Sequence, residues 1–127
     1  MTERQQVEQP LRALHAARLE ANLEQLCALF ATDARMRIQG TSDGKPIAIE
    51  ARGAEQIRPW LSVLVKTFRL RDYQLLSLTI EGARAVAHWR VHIHSKVTGA
   101  LVMTELVDLI EVVDGHIASY VEFFVPR

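Results

Sequence analysis

With a single cysteine, Cys27, in 127 residues, the chain can form no internal disulfide, and its fold has to rest on its core. Neither sign of charge predominates, since 15 Lys and Arg balance 15 Asp and Glu and neither gathers into a block. A partner held by charge, such as nucleic acid or an anionic membrane surface, is therefore not expected. No apolar run approaches the ~20 residues that span a bilayer. The opening MTERQQVEQP is polar and lacks the apolar segment of a signal peptide, so a cytoplasmic location is the expectation. Also missing are internal repeats, low-complexity tracts and linkers, and the chain reads as one domain over residues 1–127. It has no glycine-rich phosphate loop, so no cofactor is expected. Cys27 lies in the apolar stretch LEQLCALF and reads as a small buried hydrophobe rather than a nucleophile.

What is present is ordinary globular material, with 49% apolar and 24% charged residues. A chain of this length buries about two-thirds of its unfolded surface. Val7, Leu11 and Leu14 recur at helical spacing. After a break near Ala21-Asn22, Asn22 can cap a second helix with Gln25 at the capping-box position. Leu23, Leu26, Cys27 and Phe30 form that helix's apolar stripe. ARMRIQ alternates with period two and predicts a strand. GTSDGKP then predicts a turn, and PIAIE a short return strand. GAEQIRPWLSVLVKTF returns to helical spacing, with Ile57, Trp60 or Leu61, Leu64 and Phe68 on one side and Pro59 acceptable only near the first turn. From Tyr73 on, four stretches read as strands, separated by turns at Gly82, Thr98-Gly99 and Asp114-Gly115. Helices first and a long antiparallel meander last predict an α+β fold, one curved sheet with helices over one face.

That order of elements, with NLEQLCALFATDARM, ARGAEQIRPWL, ARAVAHWRV and above all TELVDLIEVVDGHIASYVEFF, resembles the SnoaL-like group of the nuclear transport factor 2-like superfamily. That superfamily includes the ketosteroid isomerases. The resemblance covers almost the whole chain. It implies a curved, mixed, mainly antiparallel sheet wrapped around N-terminal helices, a cone with an internal apolar pocket, and a homodimer. It does not by itself imply a function, because the fold hosts isomerases, cyclases, dehydratases, epoxide hydrolases and non-catalytic modules. Of the ketosteroid isomerase parts, the aspartate that helps hold the substrate oxygen matches Asp108. The catalytic carboxylate of the first strand falls on Ile38, and the tyrosine of the first helix falls at or beside Leu14.

Strand parity places Leu106, Asp108, Ile110 and Val112 on one face of the fifth strand. The turn decides what opposes them. A two-residue turn at Asp114-Gly115 pairs Asp108 with Val121. A three-residue loop, Val113-Asp114-Gly115, pairs it with Tyr120. The family pattern favours the second, with Asp108, Tyr120, Glu122 and Phe124 on the pocket side, Asp108 beside Tyr120 and diagonal to Glu122. Trp89, Val91 and Ile93 share that face, and Trp60 and Met36 are expected to close the cavity. Two carboxylates in such surroundings cannot both ionise cheaply, which makes one a candidate general acid and the other a candidate base. The plainer alternative is a structural pairing of Asp108 with Tyr120, with Glu122 at a backbone amide or the rim.

HWRVHIH sets His88, Arg90, His92 and His94 on the opposite face. Histidines two apart on a strand can hold a metal with Glu105 or Glu111, but no ligand set with recognised spacing appears, and no metal is expected. The same stripe suits an outer sheet face lying against a dimer mate, weakening below pH ~6. His15 and His116 stand alone and are expected to be solvated. The functional expectation is a pocket for an apolar small molecule. Asp108, Glu122 and Tyr120 would be its catalytic groups, and Trp60, Trp89, Met36, Val91 and Phe124 its walls. A non-catalytic ligand-binding module or a dimeric scaffold is the alternative.

Overall fold

The computed structural model describes residues 1–42 and 44–126. In chain order the elements are α1 (Glu3–Leu19), α2 (Leu23–Ala28), β1 (Phe30–Ser42), β2 (Lys45–Arg52), α3 (Ala54–Thr67), β3 (Phe68–Glu81), β4 (Arg84–Ser95), β5 (Leu101–Val113) and β6 (His116–Pro126). The six strands make one sheet in the order β2-β1-β6-β5-β4-β3. Every neighbouring pair is antiparallel except β1 and β6, which run parallel. The predicted α+β cone, a curved mixed sheet around N-terminal helices, is therefore the observed architecture. Of the turn expected over residues 40–46, Asp43 lies outside the described residues. The flanking strands run on to Ser42 and start again at Lys45. No helix among the described residues is long and apolar enough to cross a membrane.

Local chemistry sets the helix ends. Thr2 and Gln5 form a reciprocal capping box at the start of α1, satisfying two orphan amides. Asn22 accepts from the Gln25 amide and starts α2 after Ala21 has turned the chain through a left-handed conformation. In α3 the buried positions are Ile57, Leu61 and Val65, an i, i+4 row. Pro59 is the sixth residue of that helix rather than part of its first turn. There it removes only the bond to the Glu55 carbonyl, on an exposed side where water can replace it.

The inner face of the sheet is built in rows. Ile49, Ile38, Glu122, Asp108, Ala87 and Leu78 lie side by side across β2, β1, β6, β5, β4 and β3. The next row is Ala51, Met36, Tyr120, Ile110, Ala85 and Ile80. On the other side of the carboxylates lie Gly40, Phe124, Leu106 and Trp89. Helix α1 buries Val7, Leu11 and Leu14 in the same core. Two carboxylates thus occupy the middle of an otherwise apolar row.

The closing hairpin differs from both expected registers. Its turn has two residues, Asp114 (φ 51°) and Gly115 (φ 80°), with Val113 paired to His116. Two successive left-handed residues match the twist of the flanking strands. That turn alone would oppose Asp108 with Val121 and send Glu122 to the outer face. A bulge at Ala118 intervenes, since Val112 pairs with Ile117 but Glu111 pairs with Ser119. The extra residue restores the parity. Asp108 therefore faces Glu122 directly, and Tyr120 is the diagonal neighbour, opposite Ile110.

Candidate functional site

Asp108 is 0% exposed and Glu122 2%. Trp89 Nε1 donates to Asp108 Oδ2 at 3.0 Å. His15 Nε2 lies 2.8 Å from the same oxygen, and His15 Nδ1 lies 2.6 Å from the Tyr73 hydroxyl. The Tyr120 hydroxyl donates to Glu122 Oε2, with Asp108 Oδ1 3.4 Å away. Arg18 Nη1 donates to Glu122 Oε2 and, at 3.2 Å, to the Tyr120 oxygen. The Arg18 guanidinium also sits 5.3 Å from the Trp89 ring centroid, and the His15 ring 4.5 Å from it. Five elements (α1, β3, β4, β5 and β6) converge on one buried polar cluster.

His15 (3% exposed) and Arg18 (6%) correct the reading of His15 as a solvated residue. Leu11, Leu14, His15 and Arg18 follow the i, i+3, i+4, i+7 pattern of one helix face. The apolar stripe of α1 thus continues through two polar residues into the core. That spacing was the available signal, and it passes unnoticed when only apolar residues are counted. Trp60 sits differently from these two. It is 39% exposed, lies off the Ile57–Leu61–Val65 row, and does not join the cluster. Met36, Trp89 and Val91 are buried on the inner face, and Phe124 is half-buried. His116 is exposed in its turn, as expected. On the outer face His88 Nε2 lies 3.1 Å from Glu105 and His92 Nδ1 3.1 Å from Asp72. Among the described residues no three His, Cys, Asp or Glu side chains gather as a metal site.

Burial governs the electrostatics. Desolvation pushes Asp108 up from 3.8 to about 6, against the Arg18 charge and the Trp89 and Tyr120 hydrogen bonds. Glu122 rises from 4.5 to about 7, again chiefly by desolvation, with Arg18 opposing and the Asp108 charge adding. The two face each other and titrate as a unit, so their proton belongs to the pair. Burial pushes His15 down from 6.5 to about 3, helped by Arg18, so its imidazole is neutral. For Arg18 burial alone would favour loss of the charge, but the Glu122 carboxylate, by charge and hydrogen bond, together with Asp108 outweighs it and holds the guanidinium protonated. Desolvation and the two carboxylates raise Tyr120 well above the usual phenol range, so it serves as a neutral donor. One guanidinium, a neutral imidazole and two carboxyl groups sharing one proton give a cluster with no net charge. That is the condition under which buried ions are tolerable.

Such a cluster holds a proton donor and a proton acceptor side by side at neutral pH. The interior around the carboxylates is occupied by the His15 and Arg18 side chains. Of two surface grooves, one of about 730 Å³ is lined by the start of α1 together with Leu29, Val112 and Asp114. The other, about 650 Å³, is lined by Arg35, Arg37, Arg52, Gln56, Met36 and Tyr120 among others. Neither carboxylate lines either groove.

A family model described as a SnoaL-like domain matches residues 11–120. Among solved structures the chain is similar to a Bacillus subtilis protein named "Putative Isomerase", with TM-score 0.85 and 20% identity over 98% of this chain and 90% of that one. It is similar also to an M. tuberculosis protein named "LEH-like epoxide hydrolase", with TM-score 0.72 and 14% identity over 94% and 83% of the two chains. A Catenulispora acidiphila protein with a ketosteroid isomerase-like fold, in complex with trimethylamine, has TM-score 0.71 and 18% identity over 89% and 82%. No curated protein sequence matches the chain.

Proposed function

The chain belongs to the SnoaL-like family, and from that premise we propose that it is a small-molecule pocket protein working as a cofactor-independent acid–base catalyst. The reaction would be of isomerase, cyclase or dehydratase type, on an apolar compound bearing a carbonyl group. The observation that carries this reading is the directly opposed, fully buried pair Asp108 and Glu122, both pushed toward neutral pH and matched by one cation. In it Asp108 is the acid or hydrogen-bond donor to the substrate oxygen, Glu122 the partner base and Tyr120 an orienting hydroxyl. Met36, Trp89, Val91 and Phe124 supply the apolar surroundings. The carboxylate that the ketosteroid isomerase pattern would put at Ile38 is absent, but Glu122 stands beside Ile38 on the neighbouring strand. Asp108 is 0% exposed, so a ligand reaches it where a neighbouring side chain gives way, and His15 and Arg18 lie against the carboxylates.

The test is α-proton exchange in D2O with a panel of apolar aromatic ketones, followed by NMR together with the melting temperature. Exchange by the wild type that is lost in Asp108→Asn and in Glu122→Gln supports the reading. No exchange and no thermal response to any of the panel refutes it, and favours the second reading, a non-catalytic scaffold in which the cluster ties α1 to the sheet. That neither carboxylate lines either of these grooves is the observation behind that alternative.

We propose further that the outer sheet face meets a second copy. Met103, Leu109, Phe123 and Val125 stand exposed there, beside the His88–Glu105 contact. Sedimentation at pH 8 should find a dimer that weakens at pH 5.5. A monomer at both values would remove the proposal.

A further inference from the structure

Asp108 is sealed from solvent, yet its proposed role requires it to gain and lose a proton. The structure offers a polar route outward. His15 touches Asp108 with one ring nitrogen and Tyr73 with the other. Tyr73 is half-buried and reaches the surface that Asp108 does not. Its placement is a local irregularity of β3. Arg71 pairs with His92 but Gln74 pairs with Arg90, so one extra residue is inserted next to Asp72, which has φ 56°. Such a bulge re-aims the side chains it carries, and here Tyr73 is turned onto His15. β3 is also an edge strand of the sheet.

We infer that Tyr73 and His15 are positioning residues that form a proton relay between solvent and Asp108. With Asp108 ionised, His15 carries its proton on Nε2 and donates to Asp108 Oδ2, while Nδ1 accepts from the Tyr73 hydroxyl. A proton taken up by the Tyr73 oxygen releases the phenolic proton to Nδ1, and Nε2 passes its own proton to Oδ2. The phenol and the imidazole end neutral, the imidazole as its other tautomer, and the net change is one proton gained by Asp108. Release runs the same steps backward. The groups facing this route are Arg12 and Arg18 from α1, Trp89 from β4, and Tyr120 and Glu122 from β6. Burial and the Arg18 charge disfavour an imidazolium at His15, which leaves tautomer exchange as the way through the ring.

The inference rests on the acid–base reading of Asp108, but its test needs no substrate. Ring nitrogens of ¹⁵N-labelled His15 are followed by NMR from pH 5 to pH 8.5, with the Asp108 carboxyl carbon measured in the same samples. The expected result is a neutral ring throughout, protonated at Nε2 while Asp108 is ionised and at Nδ1 once Asp108 is protonated. In Tyr73→Phe, Nδ1 loses its partner, so the ring stays Nε2-protonated and Asp108 titrates at lower pH. An Asp108 that titrates while His15 keeps one tautomer, or becomes an imidazolium, overturns the relay and leaves the acid–base reading intact. A Tyr73→Phe variant indistinguishable from the wild type also overturns it. An Asp108 that does not titrate in this range overturns both.

Discussion

Replacing Asp108 by Asn should flatten the dependence of stability on pH, and the structure fixes both sign and size. In the folded protein Asp108 keeps its proton up to about pH 6, whereas its ordinary value is 3.8. Between those values the native state binds more protons than the unfolded chain, so stability falls as pH rises. The contribution is fully present below 3.8 and is lost once the pH passes about 6. At about 1.4 kcal/mol per tenfold change, it amounts to ~3 kcal/mol. Asn has nearly the same shape, keeps an acceptor oxygen for Trp89 and His15, and cannot ionise. Removing the Asp108 charge also eases the ionisation of Glu122, which it now opposes, and this adds in the same direction. Urea unfolding at pH 4.5, 6 and 7.5, read by circular dichroism, should therefore show the variant gaining on the wild type by ~2 kcal/mol across the series, the remaining third falling below pH 4.5, whatever the constant offset between them. Parallel stabilities would refute the reasoning. A wild type that gains on the variant as pH rises would reverse it, because that is the behaviour of a carboxylate held below its ordinary value.

Arg18→Met should cost ~3–5 kcal/mol at pH 8, where it leaves buried carboxylates without their cation. It should cost clearly less at pH 5, where they are protonated, and an equal cost at both pH values in urea melts would contradict the charge balance. Gly40→Ala should lose ~1–3 kcal/mol, since a Cβ there would lie 2.6 Å from the Phe124 carbonyl oxygen and 2.7 Å from its ring. An unchanged melting temperature would show that β1 and β6 approach less closely than described. Trp60→Ala should stay within ~0.5 kcal/mol of the wild type, as exposed substitutions do, and should keep any thermal response to ligand. A lost response would return Trp60 to the binding site.

Much of this was legible in the residues because strands alternate. Asp108 shares a face with Leu106 and Ile110, and Tyr120 with Glu122, whatever the turn does. Which faces meet depends on the turn, and the family pattern, not parity, set Asp108 on the side of Tyr120 and Glu122. Their order across the strands was not legible, because it hinges on a bulge at Ala118, and nothing in HIASY distinguishes a bulged alanine from a paired one. In the helices, side-chain chemistry and position part company. Trp60 looks like a core residue by chemistry and is exposed by geometry, while His15 and Arg18 look like surface residues and are buried by geometry. Helical spacing alone carried the answer in α1, where Leu11, Leu14, His15 and Arg18 make one face. The part played by Tyr73 depends on a β3 irregularity next to a left-handed Asp72, a conformation that a short polar side chain tolerates but does not announce.

The most direct test of the central claim, a neutral buried cluster in which Asp108 and Glu122 share a proton, is a ¹³C titration of their two carboxyl carbons, assigned with Asp108→Asn and Glu122→Gln. At least one of them should still carry its proton at pH 6, and the two curves should be coupled, each shifting when the other residue is replaced. Two independent titrations in the ordinary carboxylate range would contradict it.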